Sequence, residues 1–210
     1  MVEFVDPYVD PSTGVLKNLV DARFQADLDA VEGDLVPVRT LRLNQDPPEP
    51  TGDLSELRAI HRFLFSPIYA WAGGLRTVDI RKNLQGADFF VPVQMIQQVA
   101  GIAAEHLRAD DYLRGMGRPT FVARLAHHYD QFNYIHPFRD GNGRTHRWFW
   151  GWIARDAGWQ LNWRAVTGAA NDSASRAAAE HQDLGPLIAM FDQVVVRHDD
   201  DGGARSHGVG

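Results

Sequence analysis

The 210-residue sequence predicts a mainly α-helical bundle that carries one short β-hairpin. Three observations predict it. Apolar residues recur near the 3.6-residue helical period in one segment after another. Strand-favouring residues are confined to 77–80 and 89–91. Finally, Trp148, Phe149, Trp150, Trp152 and Ile153 make one segment apolar on most sides, as a central, buried helix requires.

Taken in order, residues 15–31 place Leu16, Leu19, Val20, Phe24, Leu28 and Val31 close to helical spacing, which predicts a first helix. Three prolines in 44–51 predict a connector. Asp53, with Glu56 three residues on, has capping-box spacing, and Leu57, Ile60, Phe63 and Leu64 mark the buried face of the helix it starts. Gly73-Gly74 ends that region. The stretches 77–80 and 89–91 flank Lys82-Asn83-Leu84-Gln85-Gly86 as a hairpin with a longer loop. Met95, Ile96, Val99, Ile102, Ala103 and Leu107 predict the next helix. Pro119 suits the first turn of another, with Val122, Leu125, Tyr129 and Phe132 as its stripe. Residues 169–180 and 184–196 read as closing helices, and 198–210 as a polar, Gly-rich, disordered tail. The expected organisation is an N-terminal helical extension with a Pro-rich connector (1–50), a core domain (51–197) and that tail.

Composition narrows the function classes. A net charge of -6 and a pI near 5.8 lack the basic footprint of broad nucleic-acid binding. No apolar run approaches a membrane span, and the start has neither a basic leader nor an apolar core, so no secretory signal and no membrane partner are expected. The absence of cysteine excludes disulfides, Cys-ligated zinc and thiol catalysis and suits a bacterial cytoplasm. An effector injected by a secretion machine would also lack a cleavable leader.

One dodecapeptide, residues 136–147, reads His-Pro-Phe-Arg-Asp-Gly-Asn-Gly-Arg-Thr-His-Arg. Gly141, Asn142 and Gly143 can turn successive N–H groups toward one point, where the helix beginning near Arg144 adds its positive end, making a phosphate cradle. Arg144 and Arg147, three residues apart, share a helix face and can both reach phosphate oxygens. Asp140 beside a polyphosphate is repulsive unless a cation lies between them, and Mg2+ held by one carboxylate and phosphate oxygens resolves that. His136 supplies a base that can accept a proton near neutral pH. A Gly-Asn-Gly turn alone would be ordinary turn chemistry. The whole constellation is not required by a turn.

The run is similar to the Fic-family signature His-x-Phe-x-(Asp/Glu)-Gly-Asn-Gly-Arg-x-x-Arg and matches every fixed position. Residues 57–82, with Ile-Tyr-Ala-Trp-Ala-Gly at 68–73, look like the approach to that family's flap hairpin. The likeness extends over roughly 15–196. It implies a Fic-type helical bundle that transfers AMP from ATP to a Ser, Thr or Tyr hydroxyl of a target protein. It also implies His136 as general base, Asp140 as Mg2+ ligand and Gly141 to Gly143 as anion hole. Arg144 would be a phosphate clamp, Arg147 the partner of the γ-phosphate and Phe138 a buried anchor. Ile80, Arg81, Lys82 and Asn83 would lie on the flap, docking the target by strand addition or bordering the nucleotide. Transfer of UMP, phosphocholine or a phosphoryl group stays open as an alternative, as does an idle protein-binding module. Gly143 departs from the lysine of Doc-like kinases.

Other features carry plainer readings. His127 and His128 are adjacent, so on a helix they point about 100° apart and suit one ion poorly. His146 reads as a solvent-facing or packing residue, the tryptophans as core, and Arg76 as a solvated strand residue or part of the flap. Family members are commonly restrained by Ser/Thr-x-x-x-Glu-Gly/Asn, whose Glu pairs with the second signature arginine. Glutamates stand at 3, 32, 49, 56, 105 and 180, and none has Ser or Thr four residues before it. The resemblance therefore implies a separate small antitoxin that offers a glutamate to Arg147.

Overall fold

The computed structural model describes residues 5–81 and 90–197. The expectations for Lys82, Asn83 and the tail lie outside these residues. In chain order the elements are α1 (Gln25–Gln45), α2 (Leu54–Phe65), α3 (Ile96–Ala109), α4 (Arg118–Ile135), α5 (Asn142–Asp156), β1 (Trp159–Leu161), α6 (Gly168–His181), α7 (Gly185–Val194) and β2 (Val195–Arg197). The mainly helical fold class is as expected.

Packing groups the chain into two compact units. The first comprises 5–81, 90–105 and 132–149, and its core is built on α2. Asp53 caps α2 by accepting the N–H of Ser55 at 2.7 Å and of Glu56 at 3.3 Å. The Glu56 carboxylate reaches back to the Gly52 N–H at 2.8 Å, one residue earlier than a strict capping box. Leu57, Ile60, Leu64 and Phe65 are buried, each contributing about 1.5–3 kcal/mol by transfer from water. Phe63 is not: it lies under the Arg39 guanidinium, 4.3 Å from the ring centroid.

The first expected helix is displaced. Residues 15–24 are irregular, because Gly14 turns at φ +72° and Val9 bridges Leu16 in antiparallel fashion. Asn18 then takes over the local backbone, accepting the Val20 and Ala22 N–H groups at 3.2 and 2.9 Å. Such side-chain bonds compete with helix formation, and α1 starts only at Gln25, leaving Phe24 exposed. On α3 the buried stripe is Ile96, Ala100, Ala103 and Leu107, while Met95 and Ile102 face outward. Of the expected hairpin, the Phe90 N–H bonds the Ile80 carbonyl at 3.1 Å.

The second unit comprises 106–131 and 150–197. Tyr129 sets its ring edge-on to Phe191 at 5.1 Å and donates its hydroxyl to Asn171 at 3.0 Å. β1 and β2 pair antiparallel, Trp159 opposite Arg197 and Leu161 opposite Val195. This sheet was not expected, and the closing helix predicted to run to 196 stops at Val194. Three consecutive valines favour the strand once β1 is there to pair with. His128, buried, bonds Asp110 through Nε2 at 2.8 Å, and Arg124 bonds the same carboxylate oxygen at 2.5 Å.

Candidate active site

α4 ends at Ile135 because Pro137 disfavours helical backbone at the residue before it. His136 accordingly takes φ +44°, a left-handed conformation uncommon for a residue with a Cβ. Arg76 holds it there. This guanidinium is 2 % exposed and donates Nε to the His136 carbonyl at 2.9 Å, Nη1 to Val78 at 2.9 Å, and Nη2 to Val91 and, at 3.4 Å, to Ile135. Its backbone N–H bonds the Pro137 carbonyl at 2.8 Å. Arg76 is therefore neither a solvated strand residue nor a docking group. It caps the C-terminus of α4, where a cation is favoured, and burial lowers its pKa.

The half-buried His136 ring has its Nδ1 3.3 Å from the Asn133 carbonyl. A carbonyl only accepts, so Nδ1 donates to it. Phe90 lies against the ring face, centroids 3.8 Å apart and planes within 8°.

Beyond His136 the loop is closed by Asn142. Its side chain accepts the Phe138 N–H at 3.0 Å and donates to the Phe138 carbonyl at 2.9 Å, so only its backbone is left for an anion. Phe138 is fully buried, as expected, and stacks on His61 at 4.0 Å. His61 Nδ1 accepts the Gly73 N–H at 2.8 Å, and its Nε2 donates to the Asp140 carbonyl at 2.9 Å. Both nitrogens are committed in the neutral form, and burial holds the pKa down to about 4. The sequence reading missed His61, although it sits four residues after Leu57 and three before Leu64, inside the apolar stripe.

Gly141 turns at φ +78°, and a Cβ there would lie 2.6 Å from the Phe65 ring, so this position requires glycine. A Cβ on Gly143 would meet nothing within 4 Å. Here the glycine keeps open the space in front of the backbone. α5 begins at Asn142, and the Thr145 N–H is already bonded to Gly141. The N–H groups of Asn142, Gly143 and Arg144 precede the first helical bond and stand at the positive end of a 15-residue helix.

The Arg144 guanidinium lies over the Phe65 ring at 4.6 Å and is engaged by Glu32 and, at 3.4 Å, by Asp140. Tyr69 donates its hydroxyl to the other Glu32 oxygen, and burial with that carboxylate raises the tyrosine's pKa. Glu32 thus meets the first signature arginine from α1, not the second. Arg147 is exposed one turn further along α5. The Asp140 carboxylate, half exposed, accepts the Gly141 N–H. Among the described residues no three His, Asp or Glu side chains form a metal cage, so an ion here would take one carboxylate and the rest of its oxygens from phosphate and water. Ile80 is partly buried and Arg81 exposed. His146 proves to be a packing residue, 1 % exposed, with its pKa pushed down to about 4 by burial.

Residues 51–154 match the Fic/DOC family. The chain is 37 % identical over 161 residues to "Protein adenylyltransferase VbhT" of Bartonella schoenbuchensis, covering 77 % of this chain but 33 % of that protein. It is 34 % identical over 190 residues to "Probable protein adenylyltransferase Fic" of Escherichia coli, covering 90 % of this chain and 92 % of that one. The fold superimposes on the N-terminal Fic domain of a Bartonella quintana effector protein solved with bound ADP, with TM-score 0.83, 25 % identity and coverage of 90 % and 94 %. With the signature complete on a loop between two helices, and a relative matched over nearly its whole length, the chain belongs to the Fic/DOC family.

Proposed function

We propose that the chain is a protein adenylyltransferase that uses ATP as co-substrate and a protein hydroxyl as acceptor. The observation that carries this reading is the half-buried His136 imidazole, placed on the loop that leads into the N-terminus of α5 with its Nδ1 toward the Asn133 carbonyl. The acceptor oxygen forms a bond to the α-phosphorus, its proton passes to Nε2, and the bond to the β-phosphate oxygen breaks to release pyrophosphate. The N–H groups of Asn142, Gly143 and Arg144 offset negative charge on the transferring phosphate, and Arg144 and Arg147 hold the remaining oxygens. Asp140 would hold Mg2+, which supplies charge neutralisation between carboxylate and phosphates.

The target would dock as an added strand beside Ile80 and Arg81 at the hairpin. Control would come from a small partner protein whose glutamate takes Arg147 and so misplaces the γ-phosphate. A core beginning near residue 51 is consistent with the start of the family match.

The test is transfer of label to protein from ATP marked at the α- or the γ-phosphate. We expect α-label alone to be incorporated by the isolated chain. Incorporation of γ-label removes adenylyl transfer. If the isolated chain binds ATP but stays idle until its own N-terminal segment is deleted, control is internal and the partner reading is wrong.

A further inference from the structure

Arg144 stands in the first turn of α5, where the positive end of the helix disfavours a cation. Something other than its own helix must hold its guanidinium there. We infer that Glu32, fixed by Tyr69, is a positioning residue for Arg144, tethering the guanidinium at the start of α5 so that it meets the nucleotide's phosphates already in place. The inference rests on the reading in which Arg144 is a phosphate clamp.

Phe65 of α2 lies under the guanidinium at 4.6 Å, the Asp140 carboxylate is 3.4 Å from Nη2, and the Glu32 carboxylate of α1 takes Nη1. The ring offers a face but no direction along it. The Asp140 contact is loose, and in the reading above that carboxylate goes to the metal ion. Glu32 is the directional partner that stays. Its other oxygen accepts the hydroxyl of buried Tyr69, whose ring is stacked on Trp71 at 4.3 Å. A carboxylate pinned at one oxygen presents the other at a fixed point, and that point is where Nη1 sits.

The opposite role for a carboxylate here would be to compete with phosphate for the arginine. The exposures favour the tether. The Glu32 side chain is 13 % exposed and that of Arg144 34 %, so the carboxylate is on the sheltered side of the pair and the guanidinium on the open side. A guanidinium has five N–H donors, and Glu32 and Asp140 engage one nitrogen each, so donors are left for phosphate. Without a buried anion behind it, this long side chain would swing into solvent away from the helix end, and binding would have to order it again. Glu32 lies on α1, before the residues 51–154 that match the family, so the N-terminal extension contributes a group to the site.

The experiment measures ATP affinity by calorimetry, without turnover, on the full chain with Glu32→Gln, Arg144→Ala and the two combined. Glu32→Gln keeps the shape and an acceptor for Tyr69 and removes the charge. It should weaken ATP binding about tenfold and raise KM for ATP by a similar factor, with a smaller change in kcat. In the Arg144→Ala background the same substitution should have no further effect, because Glu32 acts through Arg144. If Glu32→Gln does not fold, Tyr69→Phe, which keeps the ring on Trp71 and frees the carboxylate, should weaken binding in the same direction. Unchanged affinity in the variant measured would overturn the inference, as would a loss that persists in full without Arg144. Tighter ATP binding or faster transfer in Glu32→Gln would overturn it too, by making Glu32 a competitor of phosphate. The binding measurement involves no transfer, so incorporation of γ-label would end the adenylyl reading and leave this inference standing.

Discussion

Two sides of the signature loop each present a histidine, and they treat it in opposite ways. On the α2 side, His61 is buried, bonded at both nitrogens and held neutral, joining the Gly73 turn to the Asp140 carbonyl. On the α4 side, His136 is half-buried, directs Nδ1 at a carbonyl, and has the Phe90 ring stacked on its face. Satisfying both nitrogens yields a rigid strut that has no proton chemistry left. His136, half-buried, keeps part of its ring accessible, as proton uptake from an acceptor hydroxyl would require. The left-handed backbone follows the same division, being placed on His136 and not on His61.

The sharpest way to break this comparison is to remove His136, the proposed base. His136→Ala should lower transfer by roughly 10²-fold or more while ATP binding and the unfolding midpoint stay near wild type, measured by transfer assay, calorimetry and thermal melting. A transfer rate equal to wild type would return His136 to an architectural role. Removing the strut should do the reverse. His61→Leu leaves the Gly73 N–H and the Asp140 carbonyl buried without a partner, at about 1–3 kcal/mol each. Chemical denaturation should show that loss, with transfer per folded molecule reduced by less than in His136→Ala.

The smallest effect sharpens the comparison through pH. His61 and His146 both have folded pKa values near 4, below the ordinary 6.5. The unfolded chain therefore binds protons that the folded chain refuses. Stability is full above about pH 6.5 and falls as pH drops toward 4, by at most about 3 kcal/mol per group. Melting curves between pH 7 and 4.5 should fall for the wild type and fall less steeply for His61→Leu, which lacks one of the two groups. Equal slopes would mean that His61 is not held neutral by its burial.

The sequence alone conveyed the geometry of the loop, because that geometry is local: His136, Asp140, the glycines and both arginines stand within one turn and one helix start, and spacing along the chain is spacing in space. It conveyed the helices after residue 51 for the same reason, since a 3.6-residue period and an Asp53 cap are decided by neighbours. It placed the first helix ten residues early, because Gly14 turns the chain just before the apolar period of 15–31 and Asn18 within it bonds the nearby backbone, which a count of apolar positions does not register. Partners distant in sequence were beyond it. Arg76 meets carbonyls about 60 residues away, Glu32 meets Arg144 across 112, His61 meets Asp140 across 79, and β1 needs β2 before either is a strand. Each of these is a polar or β-prone group that solvent would satisfy equally well in an isolated segment. Only burial takes the solvent away and makes one particular distant partner the sole means of satisfying it.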